Sequence, residues 1–141
     1  MKKAILFDLD GTLLPMDQDI FVKTYFGLMA KRMSQFGYNP DELIHTIWKG
    51  TSAVIKNDGV LTNEDVFWKC FSEVYGEERT KNDRVKFDDF YREDFPKAQS
   101  ACGFQPLAKE MIQFAKQQGY RVVLATNPLF PRIATEERIR W

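Results

Sequence analysis

Two aspartates, Asp8 and Asp10, directly follow a short apolar run. One residue separates them, so in an extended chain both carboxylates project to the same side while Leu9 points into the core. Neighbouring carboxylates repel each other, and a cation or a shared proton relieves that repulsion. Mg²⁺ suits such a pair because it binds through one or two carboxylates and leaves positions for phosphate oxygens. The spacing therefore predicts a site for Mg²⁺ and a phosphate group.

A calcium-binding loop is the main competing interpretation of these residues. Such a loop needs Asp or Asn at its fifth position, Gly at its sixth and Glu at its twelfth. Counted from Asp8, these positions hold Thr12, Leu13 and Asp19. The sequence therefore excludes a calcium loop, and Gly11 is better explained as a residue that lets the backbone approach a ligand closely.

A second polar cluster, Thr126 and Asn127, follows another short apolar run. Thr126 offers a hydroxyl group, and Asn127 offers a backbone N–H and a side-chain amide. These are suitable donors for a phosphoryl oxygen. In open α/β sheets, ligands bind beyond the carboxyl ends of parallel strands. If both runs are strands of one such sheet, the two polar clusters face the same ligand.

The hydrophobic pattern predicts two strands and several helices. The strands cover residues 3–7 and 120–125, where apolar residues are nearly continuous. A capping residue, a first-turn proline or a terminal glycine delimits most of the helices. The predicted helices cover 17–37, 39–59 with an interruption at Gly50, 62–76, 87–95, 106–118 and the segment after Pro131. The charged stretch from Glu77 to Arg84 is predicted to be a solvated connection.

The connection between the two strands is far longer than an ordinary crossover of about a dozen residues. It contains helical patterns and no strand pattern. We therefore predict an all-helical insertion over residues 16–96, between two pieces of an α/β core at 1–15 and 97–141.

Two segments carry a resemblance to a known family. The segment Phe7–Leu13, with its D-x-D-G-T-L string, resembles the first motif of the haloacid dehalogenase (HAD) superfamily. The segment Val122–Asn127 resembles the second motif, and the helical insertion resembles the C1-type cap of many members. The resemblance implies an α/β fold, with a Rossmann-like core of partial parallel sheet and an inserted all-helical cap.

The resemblance also implies roles for individual residues. Asp8 resembles the nucleophile that forms an aspartyl-phosphate, and Asp10 resembles the general acid and base. The Asp8 carboxylate and the Asp10 backbone carbonyl resemble two Mg²⁺ ligands. Thr126 resembles the phosphate-binding hydroxyl, with Asn127 beside it. An aspartate at position 10 also argues against the dehalogenase and phosphonatase branches. The implied reaction is Mg²⁺-dependent hydrolysis of a small phosphorylated metabolite.

The family has two further motifs, a lysine and a set of acidic Mg²⁺ ligands, downstream of the second motif. Only residues 128–141 follow that motif here. We therefore expect the chain to end about halfway through the core, which exposes a sheet edge and favours self-association. Two alternatives to a phosphatase stay open. One is a phosphomutase of the same superfamily, and the other is a non-catalytic fragment or binding module.

Composition limits the classes of partner and compartment. Twenty basic and twenty acidic residues give a formal net charge of zero, so there is no electrostatic reason to bind nucleic acid or an anionic membrane. No apolar run reaches the roughly 20 residues of a membrane span. The N-terminal apolar run stops at Asp8, unlike a signal peptide. We expect a soluble cytoplasmic protein.

Overall fold

A computed structural model describes residues 3–141 of the chain. Within that range, six α-helices and one 3₁₀ helix accompany two short strands. The elements in chain order are β1 (Ala4–Phe7), α1 (Gln18–Ser34), α2 (Pro40–Ile55), α3 (Asn63–Tyr75), α4 (Glu77–Glu93), the 3₁₀ helix (Phe95–Ala101), α5 (Pro106–Gln117), β2 (Arg121–Leu124) and α6 (Arg132–Arg140). Among residues 3–141, no helix combines the length and apolar character needed to cross a lipid bilayer.

The first three helices begin at side-chain caps. The carboxylate of Asp17 accepts a hydrogen bond from the Ile20 backbone N–H at 3.0 Å. Asn39 and Thr62 cap α2 and α3 in the same way, each at 3.1 Å. Each cap satisfies a backbone donor that the helix itself leaves free, which contributes about 1 kcal/mol. Asn39 and Thr62 are the first residues of the predicted helices 39–59 and 62–76, and the predicted starts of these two helices are confirmed.

Strands β1 and β2 pair in parallel, as the resemblance implies for the core. Ala4 pairs with Arg121 and Phe7 with Leu124, so the two strands end level with each other. The Ala125 N–H donates to the Phe7 carbonyl at 2.7 Å and extends the pairing by one residue. The fold is thus a small parallel sheet with a much larger helical region. Leu6 is 64% exposed on this sheet, and the predicted self-association through the sheet edge stays a prediction.

The segments that enter and leave the helical region lie side by side. The Gly103 N–H donates to the Pro15 carbonyl at 2.7 Å. Met16 and Cys102 form an isolated antiparallel bridge. The chain therefore enters and leaves the helical region at two adjacent segments, close to the predicted boundaries at residues 15/16 and 96/97. Those boundaries stay a prediction.

An aromatic-rich core holds the helical region together. Helix α2 packs on α3, and α1 packs on α2 and on the 3₁₀ helix. The fully buried side chains of this core include Met29, Met33, Leu43, Phe71, Phe90 and Phe95. Helix α6 adds Ala134 to the same core and stacks the Trp141 ring against Phe95, with centroids 5.4 Å apart. The second polar cluster is therefore followed by a helix that is fixed to the helical region.

The predicted interruption of the second helix at Gly50 is wrong. Helix α2 runs unbroken from Pro40 to Ile55, and Gly50 is buried. A Cβ atom at this position would lie only 2.7 Å and 2.8 Å from two ring carbons of Phe67. The glycine therefore permits close packing of α2 on α3 and does not end a helix.

The connection predicted from Glu77 to Arg84 is wrong because the segment is helical, although most of its charged side chains are exposed as predicted. Helix α4 begins at Glu77 and includes the whole stretch. Asp83 is buried, accepts a hydrogen bond from the Tyr38 hydroxyl at 2.7 Å and pairs with Lys86 at 2.6 Å. These partners offset the cost of burying the carboxylate. A charged run can therefore form a packed helix, since Asp83, its one buried charge, has hydrogen-bond and ion-pair partners.

Helix α5 differs from its prediction in the residues that it buries. The apolar pattern favours an inward face of Leu107, Met111, Ile112 and Ala115. Only Ala115 is buried, while Leu107 and Met111 are more than half exposed. The helix contacts β2, and its apolar face extends beyond the part that this strand covers.

A glycine pair in the helical region gives a testable contrast in stability. Gly50→Ala is expected to lower the free energy of unfolding by about 1–3 kcal/mol, because the added methyl group overpacks the contact with Phe67. Gly27→Ala, at an exposed position of α1 with open space around it, is expected to raise it by about 0.5–1 kcal/mol. Urea unfolding of both variants measures the difference. Equal effects of the same sign would contradict the packing argument.

Candidate functional site

A tight loop after β1 positions the two aspartates. Leu9 is buried between them, as predicted. The Leu14 N–H donates to the Leu9 carbonyl at 2.9 Å, and the Gly11 N–H donates to the Leu14 carbonyl at 2.8 Å. Gly11 has φ +78°, a backbone conformation that L side chains rarely adopt. The glycine is therefore required for the loop that turns the chain back immediately after Asp10.

The two carboxylates of the loop have different surroundings. Asp8 is exposed, and the Thr12 hydroxyl donates a long hydrogen bond of 3.4 Å to its Oδ2. Asp10 is half-buried, and its Oδ1 is shielded from solvent without a hydrogen-bond partner. One carboxylate is thus open to an incoming ligand, and the other is partly enclosed by protein.

The enclosed carboxylate faces a buried arginine that sequence patterning missed. The Nη1 atom of Arg138, on α6, lies 3.4 Å from Oδ2 of Asp10. The Arg138 side chain is completely buried, and its guanidinium carbon lies 4.5 Å from the centre of the Phe130 ring. None of its three guanidinium nitrogens has a hydrogen-bond partner with good geometry. Asp10 is therefore the carboxylate that balances this buried charge.

Burial and nearby charges shift the acidity of this group of residues. Burial raises the pKa of the Asp10 carboxyl above its ordinary value, the attraction of Arg138 opposes that rise, and repulsion from Asp8 adds to it. Burial likewise raises the pKa of the neighbouring Cys102 thiol. The site thus favours the protonated form of Asp10 more than water does.

The second polar cluster lies at the same edge of the sheet. Thr126 and Asn127 follow β2, whose end is level with the end of β1. Thr126 is half-buried, and Asn127 is exposed. The side-chain amide of Asn63, at the start of α3, donates to the Pro128 carbonyl at 3.3 Å. The parallel pairing therefore brings the two predicted clusters to one edge, beside the helical region, while their roles stay predictions.

The donor atoms at this edge fit a hard divalent cation. Among residues 3–141 there is no group of three or more His, Cys, Asp and Glu side chains arranged to hold a metal. Mg²⁺ does not require one, because it binds through one or two carboxylates together with water and substrate phosphate. The exposed carboxylate of Asp8 and the backbone of the Asp10 loop supply such oxygens. The residues present therefore fit Mg²⁺ with most of its positions left to water and phosphate.

A separate groove of about 750 Å³ lies between α2 and α3. Its lining includes His45, Trp48, Lys56 and Cys70, and none of Asp8, Asp10, Thr126 or Asn127. His45 is exposed on its helix, and Cys70 is buried on the apolar face of α3. This groove therefore contains none of the predicted catalytic or phosphate-binding residues.

Three residues of the site were not found from the sequence. In the sequence, Thr12 is recognisable only as part of a motif, and Asn63 only as a residue of a predicted helix. Arg138 had a detectable signal, because it occupies the same helical face as Ala134 and Trp141, at positions i, i+4 and i+7. A charged residue within an otherwise apolar face indicates a buried partner.

Comparison with known proteins supports the resemblance. The model of a family of hydrolases, described as haloacid dehalogenase-like hydrolase, matches residues 2–135. A search of curated proteins found no match. The family match covers nearly all of the chain, including the aspartate loop, the helical region and the second polar cluster. The chain therefore belongs to the haloacid dehalogenase-like hydrolases.

Proposed function

We propose that this hydrolase cleaves small phosphomonoesters through an aspartyl-phosphate formed on Asp8. The observation that carries the proposal is the pairing of an exposed Asp8 with a partly enclosed Asp10 at one end of a parallel strand. A nucleophile must be accessible to the substrate, and a general acid must be able to keep its proton. The two environments divide these tasks between the two aspartates.

The reaction has two balanced steps. In the first, an Asp8 carboxylate oxygen attacks phosphorus, the bond to the ester oxygen breaks, and Asp10 gives its proton to that leaving oxygen. In the second, a water molecule attacks the acyl phosphate and the Asp10 carboxylate takes a proton from that water. Asp8 is regenerated and inorganic phosphate leaves. Two moderate barriers replace one high barrier.

Residues around the two aspartates support binding of the phosphate. The Thr126 hydroxyl and the Asn127 amide stand at the neighbouring strand end, within reach of a group placed between the strands. The Asp8 carboxylate and the Asp10 carbonyl would hold Mg²⁺, which when bound would supply positive charge that offsets the repulsion between carboxylate and phosphate. The helical region excludes water and selects the leaving group.

The substrate is a small phosphorylated metabolite, and the compartment is the cytoplasm. Cys70 and Cys102 are both free thiols in the structure, which is typical of a reducing compartment. The zero net charge supports a small molecule as substrate, because it gives no attraction to nucleic acid or anionic lipid.

Phosphate release from p-nitrophenyl phosphate tests the proposal. We expect the rate to fall at least about tenfold when EDTA removes Mg²⁺, because the Asp8 carboxylate repels an uncompensated phosphate. Equal rates with and without EDTA would contradict the proposed metal dependence. In a second assay with a sugar phosphate as substrate, isomerised sugar phosphate without released phosphate would indicate a phosphomutase.

Thermal unfolding distinguishes a site that binds Mg²⁺ and phosphate without turnover from a chain that does not bind them. A ligand that binds only the folded state raises the melting temperature. We expect Mg²⁺ together with inorganic phosphate to raise it, whether or not turnover is fast. No shift and no turnover would favour the non-catalytic alternative.

A further inference from the structure

The inference concerns Arg138 and rests on the proposed function. Arg138 is buried on α6, at a distance in sequence from both polar clusters. It is joined to the site by one contact, the 3.4 Å approach of Nη1 to Asp10 Oδ2. A buried guanidinium is costly unless it has a counter-charge, and it stays protonated in proteins. Its position close to Asp10 therefore requires an explanation.

We propose that Arg138 is a positioning residue, whose buried guanidinium fixes the carboxyl group of Asp10 in the orientation that faces the leaving oxygen. It touches neither substrate nor reacting atoms, and it acts through Asp10. This role adds a residue to the site that neither motif contains.

The packing around Arg138 leaves the guanidinium little freedom. Its carbon lies 4.5 Å from the Phe130 ring centre, and one helical turn earlier Ala134 is fully buried against the core. At the end of the helix, Trp141 stacks on Phe95. A guanidinium held by fixed neighbours can in turn hold a carboxylate more firmly than a mobile side chain could.

Asp10 has no comparable partner in the described chain. Its Oδ1 is shielded from solvent and accepts no hydrogen bond. The other oxygen approaches Arg138 alone. If the guanidinium is removed, no described side chain replaces it, and the carboxyl group is free to rotate.

Arg138→Met tests this role because it keeps most of the side-chain volume and removes the charge. Two substrates are compared. An aryl phosphate has a good leaving group that departs without a proton, whereas an alkyl phosphate needs the proton from Asp10. We expect kcat to fall about 10–100-fold for the alkyl phosphate and only a few-fold for p-nitrophenyl phosphate, with KM for both changed less than about twofold.

Arg138→Lys and Arg132→Met complete the set. The lysine keeps the charge on a more flexible side chain, so we expect a smaller, equally selective loss. If Arg138→Met does not fold, the comparison of the two substrates is made with Arg138→Lys instead. Arg132, on the same helix, has a side chain that is 90% exposed, so its replacement is expected to leave both rates unchanged. Equal losses for the two substrates would show a merely structural residue and overturn the proposal.

A stability cycle makes the outcome independent of turnover. Arg138→Met, Asp10→Asn and the double variant are compared by urea unfolding. We expect a coupling of about tenfold in the unfolding equilibrium constant, because each single change leaves the partner buried and poorly paired. Additive effects would overturn the pairing itself. If the unaltered protein hydrolyses neither phosphate, the proposed function fails and the positioning role falls with it, while the coupling still decides whether the pair exists.

Discussion

Asp8→Asn is expected to abolish phosphate release, with kcat lowered at least about 10³-fold. The amide oxygen is a poor nucleophile, so the acyl phosphate cannot form, and loss of a covalent nucleophile typically costs several orders of magnitude. The fold should not change, because Asp8 is exposed and its one described hydrogen bond, from Thr12, is long. Steady-state release from p-nitrophenyl phosphate with Mg²⁺ measures the effect, and thermal unfolding monitors the fold.

Asp19→Asn is the matched control for that variant. Asp19 is an exposed aspartate in the first turn of α1, outside the loop that holds the site. The same change of charge there is expected to leave kcat unaffected. If Asp8→Asn retained ordinary activity, the nucleophile would have to be another group, and the assignment drawn from the resemblance would be refuted.

Phe71→Ala is expected to lower the free energy of unfolding by about 3–5 kcal/mol, a large share of the stability of a domain of this size. The Phe71 ring is completely buried at the centre of the helical region. Its centroid lies 4.8 Å from that of Tyr75, 5.3 Å from that of Phe87 and 5.4 Å from that of Trp68. Truncation removes these contacts and leaves a cavity that rigid aromatic neighbours cannot fill.

Urea unfolding measures this loss, with Val85→Ala as its control. Val85 lies on α4 and is 55% exposed, so its truncation is expected to cost less than about 0.5 kcal/mol. A loss below about 1 kcal/mol for Phe71→Ala would mean that the aromatic core relaxes around the cavity, contrary to the close packing described here.

The sequence was most informative where one local rule acts alone. An apolar run that ends at two aspartates predicted β1 and its loop, and capping residues predicted the starts of α2 and α3. Each of these features depends on neighbouring residues only. For the same reason the sequence places the candidate site at the strand ends, and its residue roles stay predictions.

Features that depend on distant partners were not predictable in this way. The low helix propensity of glycine predicts a helix break at Gly50, whereas close packing against Phe67 on another helix makes glycine necessary there. The charged stretch after Gly76 predicts a connection, but it is helical. The burial of its Asp83 carboxylate depends on Tyr38, which lies 45 residues before Asp83.

Arg138 shows the same limit at the site itself. Its helical face is visible in the sequence, but the partner on that face is Asp10, close to the other end of the chain. No periodicity connects residues so far apart. The family match covers residues 2–135 and therefore stops before this arginine, so the contact could be found only from the structure.

The contact between the two segments that connect the sheet to the helical region, at Pro15–Met16 and Cys102–Gly103, affects the expected order of folding. Strand β1 is separated from β2 by most of the chain, and pairing such distant segments directly carries a large loop-closure entropy and slows folding. Folding of the helical region between them brings the two connections together, where the Met16–Cys102 bridge and the Gly103–Pro15 hydrogen bond join them. Once they have formed, β1 and β2 are joined through two short arms, one on each side of the bridge. The helices, whose contacts are mostly local, are therefore expected to fold early, and the parallel pair that creates the site is expected to form last.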